Sequence, residues 1–203
     1  MTTIILAAGT SIPFKGELKQ LLDVGGETLL DRQVRQFGPH SETIYVMTHH
    51  GEALHHSETI TVIPRSRRWK CDTLLSSGPL WATDDDTIII HGDVYFPASA
   101  VDIILKTSGD PPAFFWNDGI EGTEAYGLRF SEDRRAVILQ VVLDTVRHAV
   151  DTDAPPHDCG LMHLMATCES AGVSINRVAL VDGTRDFDNP EKYAEWRKAM
   201  GLK

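Results

Sequence analysis

Four runs in the first half of the chain are apolar and rich in β-branched residues, and each is cut off by small residues, a turn former or a proline. Residues 3–6 stop at Ala7-Ala8-Gly9, and residues 87–91 stop at Gly92-Asp93. Residues 43–48 and 59–63 lie between them, the latter closed by Pro64. Continuous apolar runs of this length fit strands covered on both faces, as in parallel sheets. Helical spacings separate them. Leu30, Val34 and Phe37 share one face over residues 29–37, and Gly38-Pro39 stops that helix. Asp72 is a candidate cap for a helix through Leu74, Leu75 and Leu80, interrupted by Gly78-Pro79. Residues 98–106 read as another helix.

In the second half, residues 113–116, 127–130 and 136–142 read as strands. Leu161, Leu164, Met165 and Cys168 give helical spacing over residues 157–171. Residues 174–181 read as a last strand. Residues 190–200 read as a last helix, with Asn189 as its cap and Pro190 in its first position. The alternation predicts an α/β fold: a Rossmann-like, mostly parallel sheet with helices on both faces. A strand-rich middle, from about residue 111 to 142, is expected to form an antiparallel edge or a lid. The loop after the first strand runs to about Lys19. Ligands in such sheets sit at the carboxyl ends of the strands. Gly9, Asp93 and the stretch near Asp186 fall at predicted strand ends and are expected to converge.

Composition narrows the classes. With 203 residues and 42% hydrophobic content, the simplest reading is one domain over residues 1–203. A formal net charge of -10 repels nucleic acid and anionic membrane, so neither is an expected partner. An acidic chain binds phosphates only through a local basic pocket and a cation. Cys71, Cys159 and Cys168 are odd in number and show no CxxC spacing, which suits a reducing cytosol better than a disulfide framework. The N-terminus lacks a basic region ahead of its short apolar run, and no stretch approaches a membrane span. A cytoplasmic protein is expected, and the sequence leaves a homo-oligomer open.

Three segments carry candidate chemistry. Small residues after the first strand, Ala7-Ala8-Gly9, let backbone approach a base or phosphate, and Lys19 lies a short loop away. Asp93, behind Gly92, places a carboxylate where a hard cation would sit. Asp186-Phe187-Asp188-Asn189-Pro190-Glu191 has two aspartates more than a helix cap requires. The basic stretch Arg65-Ser66-Arg67-Arg68-Trp69-Lys70 stands out in an acidic chain, and is either a solvated turn or a contact to base, ribose or phosphate. Trp116 and Tyr126 are candidates for an acceptor pocket or for aromatic core. The histidine pairs at 49–50 and 55–56, and the set His157, Cys159 and His163, match no zinc signature.

In order and over nearly the whole chain, these residues resemble the nucleotidyltransferase superfamily of sugar-1-phosphate nucleotidyltransferases, phosphocholine cytidylyltransferases and molybdenum-cofactor guanylyltransferases. Leu6-Ala7-Ala8-Gly9 resembles the opening nucleotide loop. Lys19-Gln20-Leu21-Leu22, with Gly25-Gly26 and Leu29-Leu30, resembles the lysine segment that closes it. Gly92-Asp93 resembles the metal-binding aspartate, and residues 186–191 resemble the C-terminal metal segment. The resemblance implies a GT-A-like fold and transfer of a nucleotide from an NTP to a phosphorylated small molecule, with magnesium as cofactor and release of pyrophosphate. It implies Lys19 and Asp93 as catalytic residues, and Asp93, Asp188 and Asp186 as metal-binding residues. Asp188, immediately before Asn189-Pro190, is the expected direct ligand. Leu6, Ala7, Ala8, Gly9, Lys15, Lys19, Asp72 and Thr73 are the expected nucleotide-binding residues. The chain departs from the family where a further glycine and an arginine are usual, since Ser11 and Pro13 stand there, and Lys15 is the candidate to supply that charge. The Lys-x-Leu-Leu-Asp run resembles phosphocholine cytidylyltransferases, which favours CTP; CTP or UTP is the expected nucleotide, and a sugar 1-phosphate or a phosphocholine-like compound the expected acceptor. A glycosyltransferase of related fold is the alternative, but Asp93-Val94-Tyr95 lacks its Asp-x-Asp. A regulator without catalysis is another, and Lys19, Asp93 and Asp188 speak against it. A dinucleotide oxidoreductase lacks its GxGxxG after the first strand.

Overall fold

Strand β1 (Thr2–Leu6) sends alternate side chains to opposite faces of the sheet, and each face meets a different helical layer. Ile5 joins Val46, Ile88 and Ile90 under α1 (Leu29–Phe37) and α3 (Ala98–Lys106), which contribute Leu30, Val34, Phe37, Ala100 and Ile104. Ile4 joins Met47, Ile89, Phe114 and Leu128 under α2 (Lys70–Ser77), α4 (Arg135–Asp151) and α5 (Leu161–Ser170). Burial on both sides is why β4 (Thr87–His91) reads as an unbroken apolar run. In this computed structural model the described residues are 1–8, 14–66, 68–119, 122–154, 159–181, 183–187 and 189–202, with backbone only for 118–119 and 122–123.

β2 (Thr43–Met47), β3 (Ile60–Val62), β6 (Ala113–Gly119), β7 (Gly122–Phe130) and β8 (Asn176–Ala179) complete a seven-stranded sheet of order β3-β2-β1-β4-β7-β6-β8. The pairings β3-β2, β2-β1, β1-β4 and β6-β8 are parallel, and only those of β7 are antiparallel. The expected mostly parallel α/β sheet is therefore present. The strand-rich middle lies inside the sheet, because β8 returns outside β6 and takes the edge. A two-stranded ribbon, β5 (Val94–Tyr95) against β9 (Arg185–Asp186), stands apart from the sheet. α6 (Pro190–Ala199) follows it, with the Asn189 side chain accepting from the Lys192 N–H at 2.9 Å as the capping pattern predicts.

Two expectations are corrected. Residues 136–142 form part of helix α4, not a strand: the buried positions Ile138, Val141, Val142, Thr145 and Ala149 carry the helical period beyond the apolar run. Trp69 occupies the N-cap position of helix α2 without a side-chain capping hydrogen bond, and Asp72 lies in its first turn instead of at its start. Helix α1 also has a complete capping box, between Thr28 and Asp31, that the apolar pattern alone does not show.

A third apolar cluster ties the segments that bear on the site. Phe14, Leu22, Leu29, Tyr95, Phe187 and Trp196 are buried together, with Tyr193 packed against them. The Phe187 ring lies 5.2 Å from that of Tyr193 and 5.0 Å from that of Trp196, and Tyr95 lies 4.8 Å from Trp196. Phe187→Ala removes a fully buried ring and should cost about 3–5 kcal/mol in urea-induced unfolding. A loss below about 1 kcal/mol would show that the cluster does not hold these segments together.

Candidate functional site

The three inner strands end together, and backbone hydrogen bonds lock their ends. The Ala7 N–H donates to the Met47 carbonyl and the Gly92 N–H to the Leu6 carbonyl, both at 2.9 Å. Gly92 has to be small. A Cβ there would lie 3.0 Å from Ile5 Cγ2 and 3.1 Å from both the Ala7 Cβ and the Leu6 oxygen. This close passage delivers Asp93 to the end of β1. Directly after it, β5 pairs with β9 in the register Val94↔Asp186, which brings the C-terminal segment to the same place. The buried Gln33 side chain of α1 supports the turn from below, donating to the carbonyls of His91 (3.0 Å) and Val94 (2.8 Å).

Lys19 opens a short 3₁₀ turn and completes the constellation. Its Nζ donates to Asp93 Oδ2 at 3.1 Å and to Asp186 Oδ1 at 2.9 Å. The side chains of Lys19, Asp93 and Asp186 are only 13%, 23% and 11% exposed, so water screens their charges weakly. Burial opposes the Lys19 charge, but the two carboxylates outweigh it and hold the ammonium above its ordinary pKa. Burial also opposes ionisation of Asp93, yet Lys19 and Lys70 pull its pKa below the usual carboxylate value. Asp186 goes the other way: burial and the neighbouring Asp93 raise it well above that value, and Lys19 offsets this only in part. The Tyr126 hydroxyl is tied to the Asn117 side chain and to the Asp186 backbone, and Asn117 donates to the Thr184 carbonyl at 3.4 Å. Strands β6 and β7 thus position the Asp186 segment.

Beside this triad is a pocket lined by Leu6, Ala8, Gln20, Lys70, Thr73, His91 and Asp93. Of the residues expected at a nucleotide, Leu6, Ala8 and Thr73 line it, and Lys19 adjoins it through Gln20 and Asp93. Ala7 is fully buried in the core. Lys15 is exposed, at a positive φ of 53°, and is not in the lining. Asp72 also stands outside the lining, and its Oδ2 accepts from Ser66 Oγ at 2.7 Å. Gly9 and Asp188 lie outside the described residues, as do Ser11 and Pro13. Trp116 and Tyr126 belong to the apolar clusters on opposite faces of the sheet.

Lys70, Gln20 and His91 line the pocket without having been singled out as site residues. Lys70 had a visible signal, since it ends the basic stretch; it opens α2 with its Nζ 3.8 Å from Glu124 Oε1. His91 had none. Its ring is buried with Nε2 unpartnered, and burial, then Lys70, keep it neutral by lowering its pKa. No helix among the described residues is long and apolar enough to cross a membrane.

Comparison with known proteins gives the family and the fold. The family model of the MobA-like NTP transferase domain matches residues 3–119. None of the curated proteins matches the chain. Among solved structures, the CTP:phosphocholine cytidylyltransferase of Streptococcus pneumoniae (LicC) has a TM-score of 0.65 at 12% identity, covering 98% of each chain. The 4-diphosphocytidyl-2C-methyl-D-erythritol synthase of Anaerococcus prevotii has a TM-score of 0.68 at 9% identity, covering 98% of this chain and 95% of that one. The homolog of Mycobacterium tuberculosis Rv0371c from Mycobacterium sp. strain JC1 has a TM-score of 0.66 at 19% identity, covering 98% and 96%. At these identities the three share the fold with this chain.

The triad makes a pH prediction. In Lys19→Met the two carboxylates face each other without the ammonium, and Asp186 holds its proton more tightly in the folded state than in the unfolded one. A group whose folded pKa is raised binds more protons when folded, so stability falls as pH rises. Lys19 lowers the Asp186 pKa, so Lys19→Met lifts it beyond the wild-type value of about 8, and the melting-temperature gap to wild type should widen as pH rises above about 8. A gap that does not widen above that pH would show that Lys19 does not hold Asp186 ionised.

Proposed function

The chain belongs to the MobA-like NTP transferase domain family, and we propose that it couples an NTP to a phosphorylated small molecule and releases pyrophosphate. The observation that carries this reading is the Lys19 ammonium held between Asp93 and Asp186 at the strand ends, beside a pocket with a second lysine, Lys70. An acceptor phosphate oxygen attacks the α-phosphorus of the NTP, the bond to the bridging oxygen breaks in line, and pyrophosphate leaves with that electron pair. Lys19 follows the phosphate charge as it develops. Lys70, in the pocket lining, holds the phosphates. Thr73 and the Leu6–Ala8 edge pack against the base or ribose. Catalysis of this kind is positioning and electrostatics, with no covalent enzyme intermediate.

Two carboxylates support magnesium as the proposed cofactor, although among the described residues no three acidic, histidine or cysteine side chains gather into a metal-holding group. Asp93 and Asp186 present hard oxygen donors that already converge on one cation, the Lys19 ammonium, and burial followed by the neighbouring Asp93 raises the Asp186 pKa. Asp188 is the proposed direct ligand, with Asp186 orienting Lys19 or acting through water. When bound, magnesium supplies neutralising charge at the phosphate oxygens. Cytidylyltransferases among the fold neighbours support CTP, with UTP next; a phosphocholine-like compound or a sugar 1-phosphate is the proposed acceptor class.

The test is to incubate the protein with magnesium, each NTP and a panel of phosphorylated acceptors, and to measure pyrophosphate; no release from any pair would overturn the reading. Asp93→Asn should abolish release while keeping a folded circular-dichroism spectrum. Lys19→Ala should lower kcat by about 2–4 kcal/mol in activation free energy. Lys70→Ala should chiefly raise the KM for NTP. Wild-type kcat in Lys19→Ala would make that lysine a structural ion-pair partner only.

Magnesium titration separates the two C-terminal aspartates. Asp188→Asn should shift the magnesium requirement far to the right or inactivate the enzyme, with a milder shift for Asp186→Asn. The reverse order would transfer the ligand role to Asp186. Loss of a helix cap alone costs about 1 kcal/mol of stability and leaves the magnesium requirement unchanged.

A further inference from the structure

We propose that Cys71 and Cys159 form an oxidative modification site, in which a hydroperoxide links the two thiols into a disulfide that stiffens and displaces the first turn of α2 at the pocket wall. The modification stands apart from the proposed activity; only its effect on turnover rests on that reading.

The two cysteines are 88 positions apart in sequence and meet in the fold. The Cys71 N–H donates to the Cys159 carbonyl at 3.0 Å, and both side chains are buried in one small cluster. Disulfides span about 4.4–6.8 Å between Cα atoms, a separation that two residues joined by a direct backbone hydrogen bond can meet. Cys71 Sγ also reaches the Gly160 carbonyl at 3.6 Å. The pair shares a small cluster with Trp69 and Ala149, separate from the main core, at the N-terminal ends of α2 and α5. Cys168 is buried in the main core on α5 and serves as an internal control.

The consequence follows from where Cys71 sits. It lies between Lys70 and Thr73 on α2, and both of those line the pocket. The two sulfurs must close to about 2.05 Å to bond. Shifts of about 1 Å at a catalytic site can cost on the order of a hundredfold in rate.

The chemistry balances. One thiolate attacks a peroxide oxygen, the O–O bond breaks, and an alcohol or water leaves, giving a sulfenic acid. The second sulfur attacks the first, the S–S bond forms, and water leaves with the second thiol's proton. The two thiols lose two electrons and two protons, and the peroxide is reduced. Both residues are buried, so attack waits on local opening of this small cluster.

The experiment treats the full chain with hydrogen peroxide, then maps peptides by mass spectrometry and follows hydrogen exchange over residues 70–77. The expected result is a peptide linking Cys71 to Cys159, slower exchange across 70–77 and full reversal by dithiothreitol, with Cys168 still free. Cys159→Ser and Cys71→Ser should show none of these changes, and either variant suffices if the other fails to fold. Pyrophosphate release should fall at least about tenfold on oxidation, within the range that displaced site residues produce. Both cysteines alkylated after peroxide treatment, or a disulfide with exchange unchanged, overturns the proposal. A chain that releases no pyrophosphate in either redox state counts against the proposed function and leaves the mass and exchange readouts to decide this one.

Discussion

One buried ammonium organises the strand ends. Lys19 gives up most of its water and replaces it with two carboxylates, Asp93 at 3.1 Å and Asp186 at 2.9 Å. A buried charge is tolerated only when paired and hydrogen-bonded, and two carboxylates this close repel each other unless a cation lies between them. Each of the three residues is therefore costly without the others. They come from three distant parts of the chain, so the cost enforces the tertiary arrangement.

Apolar packing supplies the framework for this ion pair. Each charged residue has an apolar neighbour in the same aromatic cluster: Leu22 after Lys19, Tyr95 after Asp93, Phe187 after Asp186. The backbone supplies the rest. Gly92 lets β4 pass close to β1, Gln33 braces the carbonyls on either side of Asp93, and the β5-β9 ribbon sets the register of Asp186. Truncating the cluster is expected to loosen the ion pair without touching a charged group.

Local patterns made much of this legible. The strands β1, β2 and β4, helix α1 and the Asn189-Pro190 cap are written in runs, periods and stop signals spanning a few residues. Helix α4 was not legible, because its apolar run is continuous and only the buried positions beyond it, Thr145 and Ala149, reveal the period. At the site, Lys19, Asp93 and Asp186 were visible as motif residues, but nothing local states that they share one hydrogen-bonded centre. Lys70, the unpartnered His91 ring and the Cys71–Cys159 contact depend on long-range packing, to which the spacing of residues along a chain is blind.

The charge balance of the site bears on how it meets a polyanion. The formal net charge of -10 acts at long range, and salt screens it beyond about 8–10 Å. Within that distance the lysines Lys19 and Lys70 face the carboxylates Asp93, Asp186 and Glu124. This local set attracts no triphosphate on its own, because its cations are already paired. Protonating Asp186 brings this set to neutrality, and a divalent cation beside the carboxylates would make it positive; either weakens the hold of the carboxylates on Lys19. The burial and the neighbouring Asp93 that raise the Asp186 pKa are therefore the same features that a positive charge placed beside the carboxylates would relieve.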